Sequence, residues 1–221
     1  MLPEKKEKIV IWGASGHAMV IADIVRLCGC YELVGFLDDY NPARAGEIMC
    51  GAHVLGGREQ LEGLHAQSVK FIAFGFGNCS AKAGAADIAR EKGFELATLI
   101  HPSAIIAQET HIGAGAVICA GAVIGPSCNI GESVIINTSA SVDHECTVGD
   151  CTHICPGVHI AGRVSVGNSS WIGIGTSVAD GVTIGERTLI GAGSVVVKNI
   201  GSGVVAYGVP ARAVRKCEES F

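Results

Sequence analysis

Aromatic side chains are scarce in this 221-residue sequence, at 5% of the chain. Rings supply much of the buried area of an ordinary core, so their shortage points to a narrow core lined by aliphatic residues. Positive charge is also in deficit: 16 Lys and Arg stand against 21 Asp and Glu, a formal charge of −5. That balance argues against nucleic acid as the main partner, because phosphate binding needs a basic face. No apolar stretch reaches the ~20 residues that span a bilayer. The ten cysteines include no CxxC pair. Met1–Lys8 (MLPEKKEK) is charged and leads directly into a strand-like run, so no signal peptide is expected. Reduced, buried thiols in a cytoplasmic enzyme are the expectation.

Glycine and β-branched residues are abundant. There are 31 glycines, about twice the usual share of roughly 7%. From Ile100 an aliphatic residue recurs every six positions, through Ile106 and Ile112 to Val196, without an insertion. All seventeen positions are Ile or Val. Glycine often follows, as at Gly113, Gly125, Gly131 and Gly149. This is the hexapeptide repeat of a parallel β-helix. Each unit forms one short strand and one corner, three units close a triangular coil, and positions eighteen apart stack. The β-branched residue fills the core and the glycine is expected to permit the corner conformation.

The first 99 residues read differently. Lys8–Trp12 is a strand, followed by Gly13-Ala14-Ser15-Gly16-His17 and a helix to Leu27. A second strand, Glu32–Leu37, ends in Asp38 and Asp39. A short strand and helix follow around Val54–Leu64, and Val69–Phe74 leads into Gly75-Phe76-Gly77-Asn78. A helix over Ala81–Lys92 and a strand over Phe94–Ile100 complete the segment. The alternation predicts a small Rossmann-like α/β domain with a parallel sheet. Glycine turns at a helix N-terminus suit phosphate, whereas Gly13-x-x-Gly16 falls short of the full redox-dinucleotide fingerprint. Asp38 and Asp39 lie where a carboxylate can accept hydrogen bonds from a base or ribose. Trp12 and Phe76 are bulky for a nucleotide edge and either stack on a base or pack the domain. The expected division is 1–99 for nucleotide-sugar binding, 100–206 for the β-helix and 207–221 for a tail that helps bind CoA.

The order GASGHA, FLDD, GFGN, INTSASVDHE and YGVPAR resembles the PglD/NeuD-type sugar acyltransferases over Ile9–Arg215. The resemblance implies a left-handed β-helix, a homotrimer, acetyl-CoA as cosubstrate without a metal, and a nucleotide-linked sugar on the front domain. His144 matches the family's catalytic base and Glu145 the acid that follows it. An imidazole is suited to accept the proton that an attacking amine must lose. A carboxylate on its other nitrogen would fix the tautomer, although adjacent residues on a strand point apart, so a bend is required. His153, nine residues on, is expected on another side of the prism, touching the acetyl carbonyl of a neighbouring subunit's site. The resemblance assigns the Gly162 N–H to the thioester oxygen. It assigns Gly173, Ile174, Gly175, Lys198, Pro210 and Arg212 to CoA. On the sugar side it implies Ser15, Gly16 and His17 on the pyrophosphate, Asp38 and Asp39 on the base, and Gly77 with Asn78 on the nucleotide. Asn137 and Thr138, placed two corners upstream of the dipeptide, would hold the sugar.

The implied reaction is N-acetylation of a UDP-linked 4-amino-4,6-dideoxy sugar in bacterial surface-glycan synthesis. The alternatives are a dTDP- or GDP-linked amino sugar, or O-acetylation of a sialic-acid-type sugar. A zinc-dependent carbonic anhydrase on the same helix is a rival, because His144, Cys146, Cys151, His153, Cys155 and His159 are near neighbours. A triangular coil would disperse them around its perimeter, and that enzyme has no use for a nucleotide-binding front domain. A non-catalytic scaffold would leave His144 as an ordinary surface residue.

Overall fold

A computed structural model describes residues 6–218. The chain divides into two compact units, residues up to Gly77 with Gly84–Pro102, and Asn78–Ala83 with the chain from Ser103 onward.

The first unit is built on a sheet of six strands: β1 (Glu7–Trp12), β2 (Tyr31–Leu37), β3 (Ile48–Met49), β4 (Ala52–Gly56), β5 (Phe71–Phe74) and β6 (Glu95–Leu96). Their order is β3-β4-β2-β1-β5-β6, parallel throughout except for the β3–β4 pair. The antiparallel edge strand β3 carries no alternation that would have marked it in the sequence. Ile9, Val10 and Ile11 are fully buried, as befits the centre of a parallel sheet. Helix α1 (Gly16–Cys28) turns Ala18, Ile21, Ala22 and Val25 inward and stops at Gly29, whose φ of 73° is left-handed. A short helix α2 (Leu61–Ala66) follows β4, and α3 (Cys79–Glu91) follows β5. The strand expected over Phe94–Ile100 is two pieces, β6 and Leu99–Ile100.

From Leu99–Ile100 to Val195–Val196, seventeen two-residue strands, β7 to β23, recur at six-residue spacing. They form the left-handed parallel β-helix, with partners eighteen residues apart, as in Ile136 over Ile118 and Val142 over Ile124. Beyond β7, where Ile100 is exposed, the second residue of each strand points inward: Ile118, Ile136, Ile154, Ile172 and Ile190 are fully buried. Strands β24 (Val204–Gly208) and β25 (Ala211–Lys216) form a closing antiparallel pair.

The glycine after each aliphatic has a different reason from the one expected. Gly113 and Gly125 do not adopt a left-handed φ; a Cβ on Gly113 would stand 2.6 Å from the carbonyl carbon of Gly131, and one on Gly125 2.8 Å from the nitrogen of His144. Close approach of the next coil demands glycine there. The left-handed residue comes two positions later and need not be glycine, for Ser127, Glu145, Arg163 and Arg187 all hold φ near 50–57°.

The thiols share this logic. Cys128 and Cys146 precede inward residues and donate Sγ–H to carbonyls fifteen residues on, of Asp143 at 2.9 Å and Ala161 at 3.1 Å. Thr152 and Ser170 make the same bond with hydroxyls. All ten cysteines are free.

Candidate active site

His144 sits on the corner after β14 (Ser141–Val142). Glu145 takes the left-handed turn there, φ 57°, and this is the bend that lets two consecutive side chains meet. His144 Nδ1 lies 2.9 Å from Glu145 Oε2, with the imidazole 40% exposed. The backbone of His144 is fixed from two sides: its N–H donates to Asp143 Oδ1 at 2.8 Å and its carbonyl accepts from Arg163 N at 2.9 Å. Gly162, one coil along, lies against the ring, since a Cβ built on it would be 2.5 Å from both Cε1 and Nε2. Among the described residues, no acceptor in this chain takes the Gly162 N–H. With Nδ1 occupied by the carboxylate, Nε2 is the nitrogen left to exchange a proton, and it sits beside that amide. Lys198 occupies the same corner three coils from His144, at eighteen-residue intervals through Gly162 and Asp180.

A second corner carries Asn137 and Thr138 together with Gly173, Ile174 and Gly175. The ladder runs from Thr138 O to Gly157 N, Pro156 O to Gly175 N, and Ile174 O to Gly193 N. Asn137 and Thr138 stand one corner upstream of His144, not two: six residues separate one corner from the next. Gly175 is left-handed at φ 68° and Ile174 is 57% exposed, so this edge is smooth and apolar. Within one chain the two corners do not meet.

His153 lies on neither corner. It is the outward residue of β16 (His153–Ile154), yet only 5% exposed. Its ring packs on Trp171 with centroids 4.3 Å apart. Nε2 is 3.0 Å from Asn137 Nδ2, while Asn137 Oδ1 accepts from Thr138 N at 2.8 Å. That second bond orients the amide, so its Nδ2 faces Nε2 of His153 as donor. Asn78–Ala83 cluster with this face: Cys79 Sγ reaches Ser170 O at 3.5 Å, and the fully buried Lys82 Nζ donates to Ser133 O at 2.9 Å. Burial pulls the Lys82 amine down to about 8 and pushes Cys79 up to about 11. In the tail, Pro210 follows a cis peptide bond, and Arg212 Nη1 donates to Ala211 O at 2.9 Å.

In the first unit, Ser15–His17, Asp38 with Asp39, and Gly77 gather at the carboxyl ends of β1, β2 and β5, the edge where open α/β sheets bind ligands. The two glycine turns abut, for a Cβ on Gly13 would be 2.8 Å from Gly75 C. Ser15 Oγ donates to Gly75 O at 3.3 Å. Asn78 caps α3 through Oδ1, which accepts from Ala81 N at 2.7 Å. Asp39 is heavily engaged: Oδ1 takes Arg58 N at 2.7 Å, and Oδ2 takes Trp12 Nε1 at 3.0 Å and Arg58 Nε at 2.9 Å, with Arg58 Nη2 2.8 Å away. Asp38 accepts from Tyr40 N and Asn41 N and pairs with Arg44 at 3.2 Å. Both acids therefore brace a shallow cavity of about 390 Å³ between the ends of β2 and β4, where Gly57, Glu59 and Gln60 also line the wall. Its backbone N–H and that of Gly57 hold the Glu59 carboxyl below its usual range. Trp12 is 4% exposed, packs on Phe74 and carries the Arg58 guanidinium 5.5 Å above its ring, so it serves the domain's interior. Arg44 and Arg58 escaped sequence reasoning, because cations on single 3₁₀ turns carry no pattern until their partners are known. Among the described residues, no group of three or more His, Cys, Asp or Glu is placed to hold a metal ion, and no helix is long and apolar enough to cross a membrane.

A hexapeptide prism with a His–Glu pair on one corner, together with an α/β sheet, defines a β-helix acyltransferase. The family model of the PglD N-terminal domain matches residues 8–89, and that of the bacterial transferase hexapeptide matches 163–198. Perosamine N-acetyltransferase from Caulobacter crescentus, solved with CoA and GDP-perosamine, is 37% identical; the match covers 94% of this chain and 96% of that one, with a TM-score of 0.89. The acetyltransferase domain of PglB from Neisseria gonorrhoeae, also solved with acetyl coenzyme A, is 34% identical over 95% and 100% of the two chains, TM-score 0.88. WeeI from Acinetobacter baumannii shares the fold at 22% identity, 95% and 100% coverage and a TM-score of 0.85. A search of curated proteins yields no match. The chain belongs to the PglD-type family of sugar acetyltransferases.

Proposed function

We propose that this protein moves the acetyl group of acetyl-CoA onto the amino group of a nucleotide-linked amino sugar. The observation that carries the reading is the geometry at one corner: an imidazole held through Nδ1 by Glu145, with Nε2 against Gly162. As the amine attacks the thioester carbonyl, Nε2 of His144 accepts its proton, a contribution typically of ~10²–10⁴ in rate. Glu145 stabilises the imidazolium that results. The free Gly162 N–H is suited to the oxygen that gains charge, and one such donor is typically worth ~10²–10³. The imidazolium then returns the proton to the departing thiolate. The perosamine enzyme was itself crystallised with CoA and GDP-perosamine as variants of a single histidine.

CoA runs along the Gly173–Gly175 edge towards Pro210 and Arg212, and Lys198 meets it from the edge that carries His144. Because the His144 and Ile174 corners are separate edges of one prism, a complete site takes one from each of two neighbouring chains, in a cytoplasmic homotrimer. His153 sits behind Asn137 and presents that amide, with Thr138, towards the sugar. Ser15, Gly16 and His17 bind the pyrophosphate at the open N-terminus of α1, assisted by Gly77 and Asn78. Asp38 and Asp39 act on the base by shaping its cavity. UDP is the carrier that the sequence pattern suggests; GDP is the second reading, favoured by the 37% identity to the perosamine enzyme.

Thiol release from acetyl-CoA, followed with UDP-, dTDP- and GDP-linked 4-amino sugars and with free sialic acid, tests this. Turnover with one nucleotide amino sugar is expected. Release with sialic acid alone would transfer the reading to O-acetylation, and silence with every amino sugar would sink it.

A further inference from the structure

Glu145 is approached from two sides. Arg163 stands one coil along from it, in the same left-handed corner position, φ 56° against 57°. Arg163 Nη1 lies 3.9 Å from Glu145 Oε2, the oxygen that holds His144 Nδ1. The other arm of the guanidinium, Nη2, is 2.5 Å from Asp180 Oδ2. Asp180 in turn stands one coil beyond Gly162, the residue against which the imidazole rests. Four charged or ionisable side chains thus form one chain along the corner: His144, Glu145, Arg163 and Asp180.

We propose that Arg163, anchored by Asp180, is a positioning residue for the His144–Glu145 pair: its cation partly offsets the charge of the Glu145 carboxylate and so opposes build-up of positive charge on the ring. The proposal rests on the reading of His144 as the base.

The side chains are about half exposed, with Arg163 at 55%, Glu145 at 59% and Asp180 at 52%. Ion pairs of that kind contribute little to stability, so a purely structural reason for the arrangement is weak. Their effect on a neighbouring titration is a separate matter, because a cation disfavours a second positive charge nearby. The backbone keeps the distances fixed, since the Arg163 N–H donates to His144 O at 2.9 Å. The charges around the ring are Asp143 and Glu145 on its own corner, Arg163 and then Asp180 on the following coils, and Lys198 beyond them; the preceding coil offers Gly125, Pro126 and Ser127, and Ser127 donates to Glu109 one coil further back.

The test is the NMR titration of the His144 ring in the intact protein, alongside the acid limb of kcat/KM. In Arg163→Gln the midpoint is expected to rise by about half a pH unit. Activity below the limb then falls about threefold. Arg163→Lys, which keeps the charge, is expected to return the midpoint towards that of the unaltered protein. In a Glu145→Gln background the Arg163→Gln step is expected to shrink, because the carboxylate through which the arginine acts is gone. An unmoved midpoint in Arg163→Gln, or a step of equal size in both backgrounds, overturns the proposal. The ring titrates without any sugar, so a failure of the acetyl-transfer reading and a failure of this one are read separately.

Discussion

Gly162 lies against the imidazole of His144, so closely that a methyl group on its Cα would stand 2.5 Å from Cε1 and Nε2. Gly162 has no left-handed φ, so its need for glycine is spatial. Gly162→Ala is accordingly expected to displace the ring while leaving the β-helix folded. A fall in kcat of one hundredfold or so, with an unchanged circular dichroism spectrum, is the expected result. Near-normal kcat would show that the ring moves at no cost.

His144→Ala removes the proposed base from an exposed corner that the core does not depend on. A loss of about 10²–10⁴ in kcat is expected, with the sedimentation behaviour of the unaltered protein. Comparable turnover would take His144 out of the mechanism.

His153 is held by Asn137 and Trp171 rather than offered to solvent. His153→Phe is expected to keep the fold, leave the Asn137 amide without its acceptor and raise KM for the sugar more than it lowers kcat. A pure kcat defect would instead place the ring on the reacting atoms.

Asp39 gathers the Trp12 indole and both the backbone N–H and the guanidinium of Arg58 around one carboxylate. Asp39→Ala strands a nearly buried indole N–H, at a cost of about 1–3 kcal/mol. Thermal unfolding is expected several degrees lower, with weaker nucleotide binding measured by calorimetry. Full stability together with lost binding would mean that Asp39 serves the ligand directly.

The buried ionisable groups set opposing slopes on the alkaline side. Burial pushes Cys119 and Cys155 up to about 12 and Cys79 and Cys146 to about 11, from 9.0. A thiol raised in this way supports the fold fully below pH 9 and loses that support as pH climbs towards 11–12. Lys82 is lowered from 10.5 to about 8, so between those values the unfolded chain binds the extra proton and stability gains with pH. In urea unfolding from pH 7 to 11, Lys82→Met is expected to abolish the gain above pH 8, and Cys119→Ala to soften the decline above pH 9. Identical profiles for the two variants and the unaltered protein would contradict the burial account.

The periodic Ile and Val positions made the β-helix legible, because a two-residue strand leaves one inward side chain in every six. The His144–Glu145 pair was legible only through its motif. Its bend was hidden, since Gly, Ser, Glu, Cys and Arg all fill the left-handed corner. Arg163 and Asp180 come into register with the pair only once eighteen residues are known to make a coil. Arg58 reaches Asp39 from a 3₁₀ turn nineteen residues away, a distance that no local pattern encodes. Lys82 reads in the sequence as one more polar helix residue, although it is buried on Ser133.

Eighteen residues to a coil, with strands of successive coils ~4.8 Å apart, make place along this prism a matter of whole numbers. Deleting six residues would hand every later side chain to the next face; deleting eighteen would leave each face its own occupants and shorten the prism by one step. The three coils between His144 and Lys198, about 14 Å at that spacing, are therefore a graduated scale on which marks can be added or removed but never slid.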